Sequence, residues 1–549
     1  MQYLPTGRLE ASGPLNRFLP PVPEGTARAY VAGLEPSTAW VLEPFVAQPR
    51  LAVEMARAGH RVLATAGNPV SRFLLDLAAH PPKLVDLQAA LADLAAARKE
   101  GKRLETHLQS LYATRCENCG REISAEAFLW DGKTGELTGR IYNCICGSGG
   151  EHPATPEDVE IAALWARTDG LHRSRAIERV VPGNDPDRPF AEEALGFYLP
   201  RAVYALGTII NRLDGLSSSD ERRRCMSALV LYAADCANVL WPHLSERPRP
   251  KQLTFSSVYR ENNIWLALEA GVKAWASEES PIPLTLWPEE PPESGGVCVF
   301  EGPLRDLAHE LEGHPIKAVV TAIPRPNQAF WTLSALWAGW LWGHVAVGPF
   351  KAVLRRRRYD WQWHAEALRA LFENLVEVLQ PGIPVFGILA EPEAGFVSAV
   401  FLAAQAARLE INGLAMRAEA DPVQLLWKKL PSLATTPETV GKNSSGRSTA
   451  GQKKKALPLN VNYTGRLIRE TLSLNNEPMP YLHLHTAILA VLAQKGMLTW
   501  SDEALSTLEK NIHTALASPD FVDLEGRTTP ETGTWALKKW DYQEMFKGL

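Results

Sequence analysis

This sequence has no excess of charge of either sign: 57 Lys and Arg stand against 62 Asp and Glu over 549 residues, a net charge of −5. That excludes a uniformly basic, histone-like protein and allows only a local basic patch on a near-neutral body. Cysteine is scarce, at seven, and four of the seven fall in one short segment. A disulfide framework is therefore excluded, and a reducing, cytoplasmic setting is expected. The opening stretch, MQYLPTGRLEASGPLNRFLPPVPEG, lacks an apolar core of signal-peptide type. Neither a Gly-rich Lys-Ser/Thr phosphate loop nor a Gly-x-Ser-x-Gly elbow occurs. Long apolar runs are missing too, with one exception. Phe330 to Phe350 carries no formal charge and is followed by Arg355 to Arg358, as a membrane span would be. Gly343 and Gly348 interrupt it, its flanks read as globular and no second run accompanies it. It is expected to be a buried Trp-rich helix, and no membrane partner is expected.

The composition that remains is ordinary for a globular chain, with 46% hydrophobic and 22% charged residues. The length suggests roughly three or four units. The 41 prolines imply many short connections, and the 17 tryptophans need large packing sites or flat ligands. Residues 1–30 are Pro-rich and are expected to lie extended over the surface. AWVLEPF then reads as a strand, Arg50 to His60 as a helix and RVLAT as a second strand, which together make a βαβ unit and imply a parallel sheet. Leu84 to Tyr112 reads as one long helix. After a cysteine segment, residues 155–275 read as mostly helical. Gly296 to Phe300, Lys317 to Thr321 and Val385 to Ala390 are further strands, with a helix over Trp361 to Leu379.

The expected class is thus α/β, with the sheet split in sequence. Its halves are placed at 1–105 and 281–434, with a cysteine module at 106–155 and a helical insertion at 156–280 between them. Residues 435–458 are too polar to form a core and read as a linker. Residues 459–549 show three helical stretches (461–473, 480–496 and 502–517) and then two strands around a polar turn, a winged-helix-like pattern.

The cysteine module carries the most specific motif. Cys116 and Cys119 are two residues apart, Cys144 and Cys146 one residue apart, with twenty-four residues between the pairs. Two close thiolate pairs joined by a hairpin suit tetrahedral zinc. Gly120 and Gly147 follow each pair, where a tight knuckle needs positive φ. The short second spacing leaves His152 open as a substitute ligand. Four protein ligands leave no open position, so the zinc is expected to be structural. Cys225, Cys236 and Cys298 sit in apolar stretches and read as core residues.

VLEPF (41–45), a helix, and then RVLATAGNP (61–69) resemble the opening of S-adenosylmethionine-dependent DNA amino-methyltransferases. AVVTAIPRPNQAFW falls on that family's second motif, which holds the amino group of a flipped base. YRENNIW (259–265) and residues 355–375 resemble segments of larger bacterial methylase-like proteins with a zinc-ribbon insert. The resemblance covers roughly residues 30–430. It implies a Rossmann-like methyltransferase sheet with S-adenosylmethionine as cofactor. Glu43, Phe45, Asn68 and Pro69 fall on its cofactor-binding positions, and Pro324 and Arg325 on its catalytic motif. The departures fall on four contacts. Ala47-Gln48-Pro49 replaces the Gly-rich turn, and Ala66 replaces the ribose-binding acid. Ala322 replaces the Asp or Asn acceptor, and Arg325 replaces the base-stacking aromatic. Glu43 stands where Asp is usual. A methyl group cannot replace an acceptor, and losing one such bond costs about 1–3 kcal/mol.

Arg355, Arg356, Arg357 and Arg358, with Trp361, combine charge and rings as a nucleic-acid groove does; the competing reading is a solvated helix start. Arg222 to Arg224 reads as a surface helix face, and His483 and His485 as ordinary packing. Three functional readings follow. The first is a methyltransferase-fold protein that has lost catalysis and serves as a DNA-binding or scaffold subunit. The second is an active methyltransferase with an atypical site. The third is a platform for protein partners.

Overall fold

The computed structural model describes residues 1–4, 7, 13–34, 39–243, 250–307, 310–311, 314–355, 360–430, 460–476, 478–527 and 529–538. The polar 435–458 segment lies outside the described residues. In chain order, β1 (Trp40–Glu43) and β2 (Arg61–Thr65) flank the helix Arg50–Arg57. A small hairpin, β3 (Arg98–Lys99) and β4 (Lys102–Arg103), comes next. The cysteine module holds β5 (Ala113–Arg115), β6 (Glu122–Ser124), β7 (Ala127–Asp131), β8 (Leu137–Asn143) and β9 (Gly149–Pro153). Helices follow up to Cys236, and β10 (Val258–Asn262) returns to pair antiparallel with β7. The chain continues with β11 (Leu284–Leu286), β12 (Gly296–Phe300), β13 (Ile316–Ala322), β14 (Pro384–Leu389), β15 (Leu409–Ala415) and β16 (Val423–Lys429). Three helices and the short strands β17 (Met479–Pro480), β18 (Phe521–Asp523) and β19 (Thr534–Leu537) complete it.

The main sheet has eight strands in the order β11-β12-β2-β1-β13-β14-β16-β15. All neighbours run parallel except β16, which is antiparallel to both β14 and β15. The order reverses at β1: the next strands in the chain build outward on one side, and the later ones on the other. All four residues of β1 are buried, as expected of a central strand covered on both faces. Val41, Val62, Val297 and Val320 face the helix Arg50–Arg57. Leu42, Leu63, Cys298 and Val319 face a larger core closed by Trp361–Val378 and Ala394–Ala406. The C-terminal helices belong to that second core. Their deepest tie is a buried hydrogen bond of 2.7 Å between Ser398 Oγ and His485 Nε2. The helical insertion forms a separate core with Gln328–Trp342 running through it.

Two sequence expectations need correction. The 84–112 stretch is not one helix. It is Leu84–Ala96, the β3–β4 hairpin and Leu104–Ser110, because Glu100 and Gly101 both take positive φ and turn the chain. Residues 155–275 are mostly helical as expected, with the single strand β10 among the described residues, its Tyr259 and Glu261 buried. The Pro-rich opening is not merely superficial: Leu15, Phe18 and Leu19 are buried, with Phe18 stacked on Phe330 at 5.8 Å. The apolar Phe330–Phe350 stretch is a helix that Asn327 caps and Gly343 ends. Among the described residues no helix is long and apolar enough to cross a membrane. Arg222 to Arg224 are anchored to the body rather than free, with Arg224 donating to Asp76 and the His80 carbonyl and Arg222 to the Asp86 carbonyl.

Gly339 tests the contact between this helix and the insertion. A Cβ there would lie 2.7 Å from Val180 Cα and 2.9 Å from the Arg179 carbonyl oxygen, both backbone atoms that cannot rotate away. Alanine gains about 1 kcal/mol of helix propensity over glycine, whereas overpacking costs about 1–3 kcal/mol. Gly339→Ala is therefore expected to lower the urea midpoint. A raised midpoint would show that the two backbones are not in contact.

Candidate functional site

The carboxyl ends of β1, β2, β12, β13 and β14 open on one cavity of about 630 Å3. It lies at the reversal of strand order, where doubly wound sheets bind ligands, and its volume is within the range of small-molecule sites. Phe45, Val46 and Ala47 line it after β1, and Ala66, Gly67, Asn68 and Pro69 after β2. Glu301 lines it after β12, Pro324 to Asn327 after β13, and Ala390 and Glu391 after β14. Phe18, Phe330, Trp331 and Phe350 add aromatic walls. Val46 and Glu391 on its rim have φ of 45° and 49°. For β-branched Val46 that conformation is strained, and such residues collect at ligand sites.

Of the residues the sequence placed on the cofactor, Phe45, Asn68 and Pro69 line the cavity. Asn68 also caps the helix Pro69–Ala79, accepting from the Val70 amide at 2.9 Å. Glu43 lies beneath the cavity, fully buried. Its Oε1 accepts from the Phe45 and Val46 amides at 3.1 and 2.8 Å and from Thr321 Oγ1 of β13 at 2.9 Å. Burial pushes its pKa up to about 8 against those three bonds. Gln48 and Pro49 turn away from the cavity, and Gln48 Nε2 donates to the Pro20 carbonyl at 3.0 Å. Pro49 therefore does not fill the space a ligand would use.

Pro324 and Arg325 both line the cavity, but Arg325 is held fast. Its guanidinium donates to the Glu391 carbonyl and to Glu393, and lies 5.8 and 5.6 Å from the ring centres of Trp361 and Phe396. The Pro324 carbonyl accepts from His364 Nε2 at 3.0 Å when that nitrogen carries the proton. Ala322 is buried and offers no acceptor. On the rim Arg72 pairs with Glu301. Sequence reasoning missed Glu301, although its place directly after the strand Gly296–Phe300 was a usable signal. It also missed the Phe18-Leu19-Pro20 strap, for which no local pattern exists.

The proposed nucleic-acid residues are placed differently. Arg355 pairs with the buried carboxylate of Asp187, and Trp361 stacks on Phe396 at 5.6 Å and 18°. Arg356, Arg357 and Arg358 lie outside the described residues.

The four cysteines come together. Cys116 and Cys146 Sγ are 3.6 Å apart, as are Cys119 and Cys144 Sγ, and all four lie within 4.8 Å of one another. Four sulfurs at 2.3 Å from a tetrahedral zinc would be about 3.8 Å apart, so the donor set fits a structural zinc. Gly120 and Gly147, at φ of 67° and 87°, turn the two knuckles. Amides of Cys119 and Asn118 directed at Cys116 hold that thiol below its ordinary pKa, and the Ser148 amide does the same for Cys146. His152 does not take the place of a cysteine: all four sulfurs cluster without it. Its ring stacks on Tyr142 at 4.5 Å, and its Nδ1 meets Glu117 at 2.9 Å. Cys225, Cys236 and Cys298 are buried core residues.

No protein-family model, curated protein or solved structure matches this chain.

Two outcomes are expected. Elemental analysis should find one zinc per chain, lost in Cys119→Ser together with a lowered melting temperature; a metal-free parent of unchanged stability would refute the fit. The second concerns Glu43, whose pKa rises from 4.5 to about 8 on folding. Between those values the folded state binds more protons than the unfolded one, so stability is greatest below the lower value and falls as pH rises to the upper one. Glu43→Gln keeps the acceptor and removes the titration. Denaturation from pH 5 to 9 should show the variant gaining on the parent by on the order of a few kcal/mol. Parallel profiles would mean that Glu43 is ionised throughout.

Proposed function

We propose that this chain is a methyltransferase-fold protein that has kept a ligand cavity, has lost base-methylating chemistry, and acts as a DNA-binding or scaffold subunit. The clamp on Arg325 carries the reading. A flipped base needs an acceptor and a stacking ring after β13. Here Ala322 supplies no acceptor, and Arg325 is committed to Glu391 and Glu393. A largely parallel, doubly wound sheet supports the methyltransferase part of the reading, since the resemblance implies a Rossmann-like sheet. The zinc-ribbon and winged-helix-like descriptions belong to the same proposal. They rest on the two cysteine knuckles and on three helices backed by the β17-β19-β18 sheet.

In the cavity, Phe45, Phe330 and Trp331 would pack against a flat ring and exclude water. S-adenosylmethionine would supply an activated methyl group if bound. The end of β2 offers Ala66 rather than a carboxylate for its ribose, and Glu301 is the cavity carboxylate on the neighbouring strand. That carboxylate and the open cavity favour the second reading, an active enzyme with an atypical site. Calorimetric titration with S-adenosylmethionine, followed by methyl transfer to duplex DNA, separates the two. Binding without transfer is the expected result. Transfer by the isolated protein would overturn the loss of catalysis, and absence of binding at high micromolar ligand would overturn a retained cofactor site.

A further inference from the structure

The strongest unassigned feature is basic, and it lies away from the main cavity. The β3–β4 hairpin has the sequence RKEGKR. Its register sets Arg98 opposite Arg103 and Lys99 opposite Lys102. Like charges directly opposed across two strands destabilise the pair, so this hairpin holds an arrangement that its own contacts do not favour. Lys99 also lines a second cavity, of about 100 Å3, with His172, Arg175, Arg179, Tyr204 and Asn211. Within it Arg179 is already engaged by Asp214 and the Trp340 carbonyl, which fixes its guanidinium as a wall. Tyr204 is held by His107 at 2.9 Å and by the edge of His172. Lys99 acts electrostatically on both His107 and His172, and Arg175 on His172, so hairpin and cavity form one field.

The acids nearby neutralise it only in part. Glu100 pairs with Lys99, and Glu105 with Arg103. Among the described residues Lys102 and Arg175 have no ion pair, and Arg98 donates only to the Gly101 carbonyl, at 3.4 Å. A chain with a net charge of −5 thus gathers Lys99, Arg175 and Arg179 around a cavity large enough for one phosphate group, with Arg175 unpaired among them and Arg98 and Lys102 unpaired on the adjoining hairpin.

We propose that the β3–β4 hairpin and the Lys99–Arg175 cavity form the surface that binds the phosphate backbone of duplex DNA. This rests on the DNA-binding reading above and moves its location from the Arg355–Arg358 segment to the hairpin. Backbone phosphates relieve the opposed cations, and the contact carries no sequence preference of its own. One group sits in the cavity against Lys99 and Arg175, and the neighbouring phosphates meet Arg98, Lys102 and Arg103.

The test uses the full-length zinc-loaded protein, a fluorescent 20-base-pair duplex of mixed sequence, and a salt series. Lys99→Gln/Lys102→Gln and Arg175→Gln are compared with Lys317→Gln/Lys428→Gln, an equal charge change at exposed positions of the main sheet. The hairpin variant is expected to bind about 10-fold or more weakly at moderate salt, with a shallower dependence on log salt concentration. It should melt near the parent temperature, because relief of the opposed pair offsets the lost Lys99–Glu100 ion pair. Arg175→Gln should weaken binding in the same direction, and the main-sheet control should not. If the parent binds and all variants bind alike, the hairpin site is wrong and the DNA reading stands. If the parent does not retain the duplex at low salt, the DNA reading itself fails. Competition by millimolar inorganic phosphate, without loss of duplex affinity in the variants, would make the cavity a site for free phosphate and overturn the proposal.

Discussion

The Glu43 carboxyl holds the centre of the molecule together. It ends β1, receives the two amides of the turn that follows, and reaches across to Thr321 on β13. β1 and β13 are the strands between which the sheet changes direction. They have no short connection, since more than 270 residues separate Glu43 from Thr321. A carboxyl buried here is costly unless it is hydrogen-bonded or neutral. Three donors satisfy Oε1, while Oε2 has no hydrogen-bond partner among the described residues, and burial raises the pKa so that the neutral form is favoured. The same bonds set the path of Phe45 and Val46, and so shape the cavity wall. The residue that resembles a cofactor ligand in sequence is therefore a structural strut whose effect on the cavity is indirect.

The insertion is bound to the rest by polar contacts between distant parts of the chain. β10 returns from the helical block to pair with β7 of the cysteine module, so one sheet joins the cysteine module to the helical block. Glu261 of β10 receives Trp130 Nε1 at 2.9 Å and faces Arg201 at 3.3 Å, with both charged side chains buried. Losing one member of such a pair would leave the other charge buried and unpaired, which costs far more than the pair contributes. Arg17 extends the same logic to the opening strap, joining Asp235 at 2.6 Å while its guanidinium lies 4.0 Å over Trp241. The strap is thereby fixed between the insertion and the ligand cavity.

Local periodicity made much of this legible. The strands Gly296–Phe300 and Arg61–Thr65 are found where short apolar runs between turn residues place them, and the C-terminal helices differ from the expected bounds by one or two residues. The cysteine spacing anticipated its cluster because two close pairs have few other uses. What stayed hidden depends on distant partners. The break at Glu100 and Gly101 could not be seen because Ala- and Leu-rich flanks favour helix on both sides. Arg325 reads as a lost aromatic, and only Glu391 and Glu393 show what it does instead. Arg355 and Trp361 read as a charged groove until Asp187 and Phe396 are placed beside them.

On the proposed reading, binding and chemistry are separable because they would use different residues around one cavity. Aromatic side chains from the N-terminal strap, the turn after β1 and the helix Gln328–Trp342 make the cavity walls. The reacting centre would depend on the few residues after β13. Ala322 and Arg325 alter that short segment without narrowing the cavity. The clamp on Arg325 even stiffens the rim by tying β13 to the segment after β14. Preorganised walls with little freedom lose little entropy when a ligand enters. On the proposed reading, these walls would hold a flat ligand while the segment after β13 would lack the groups to transform it.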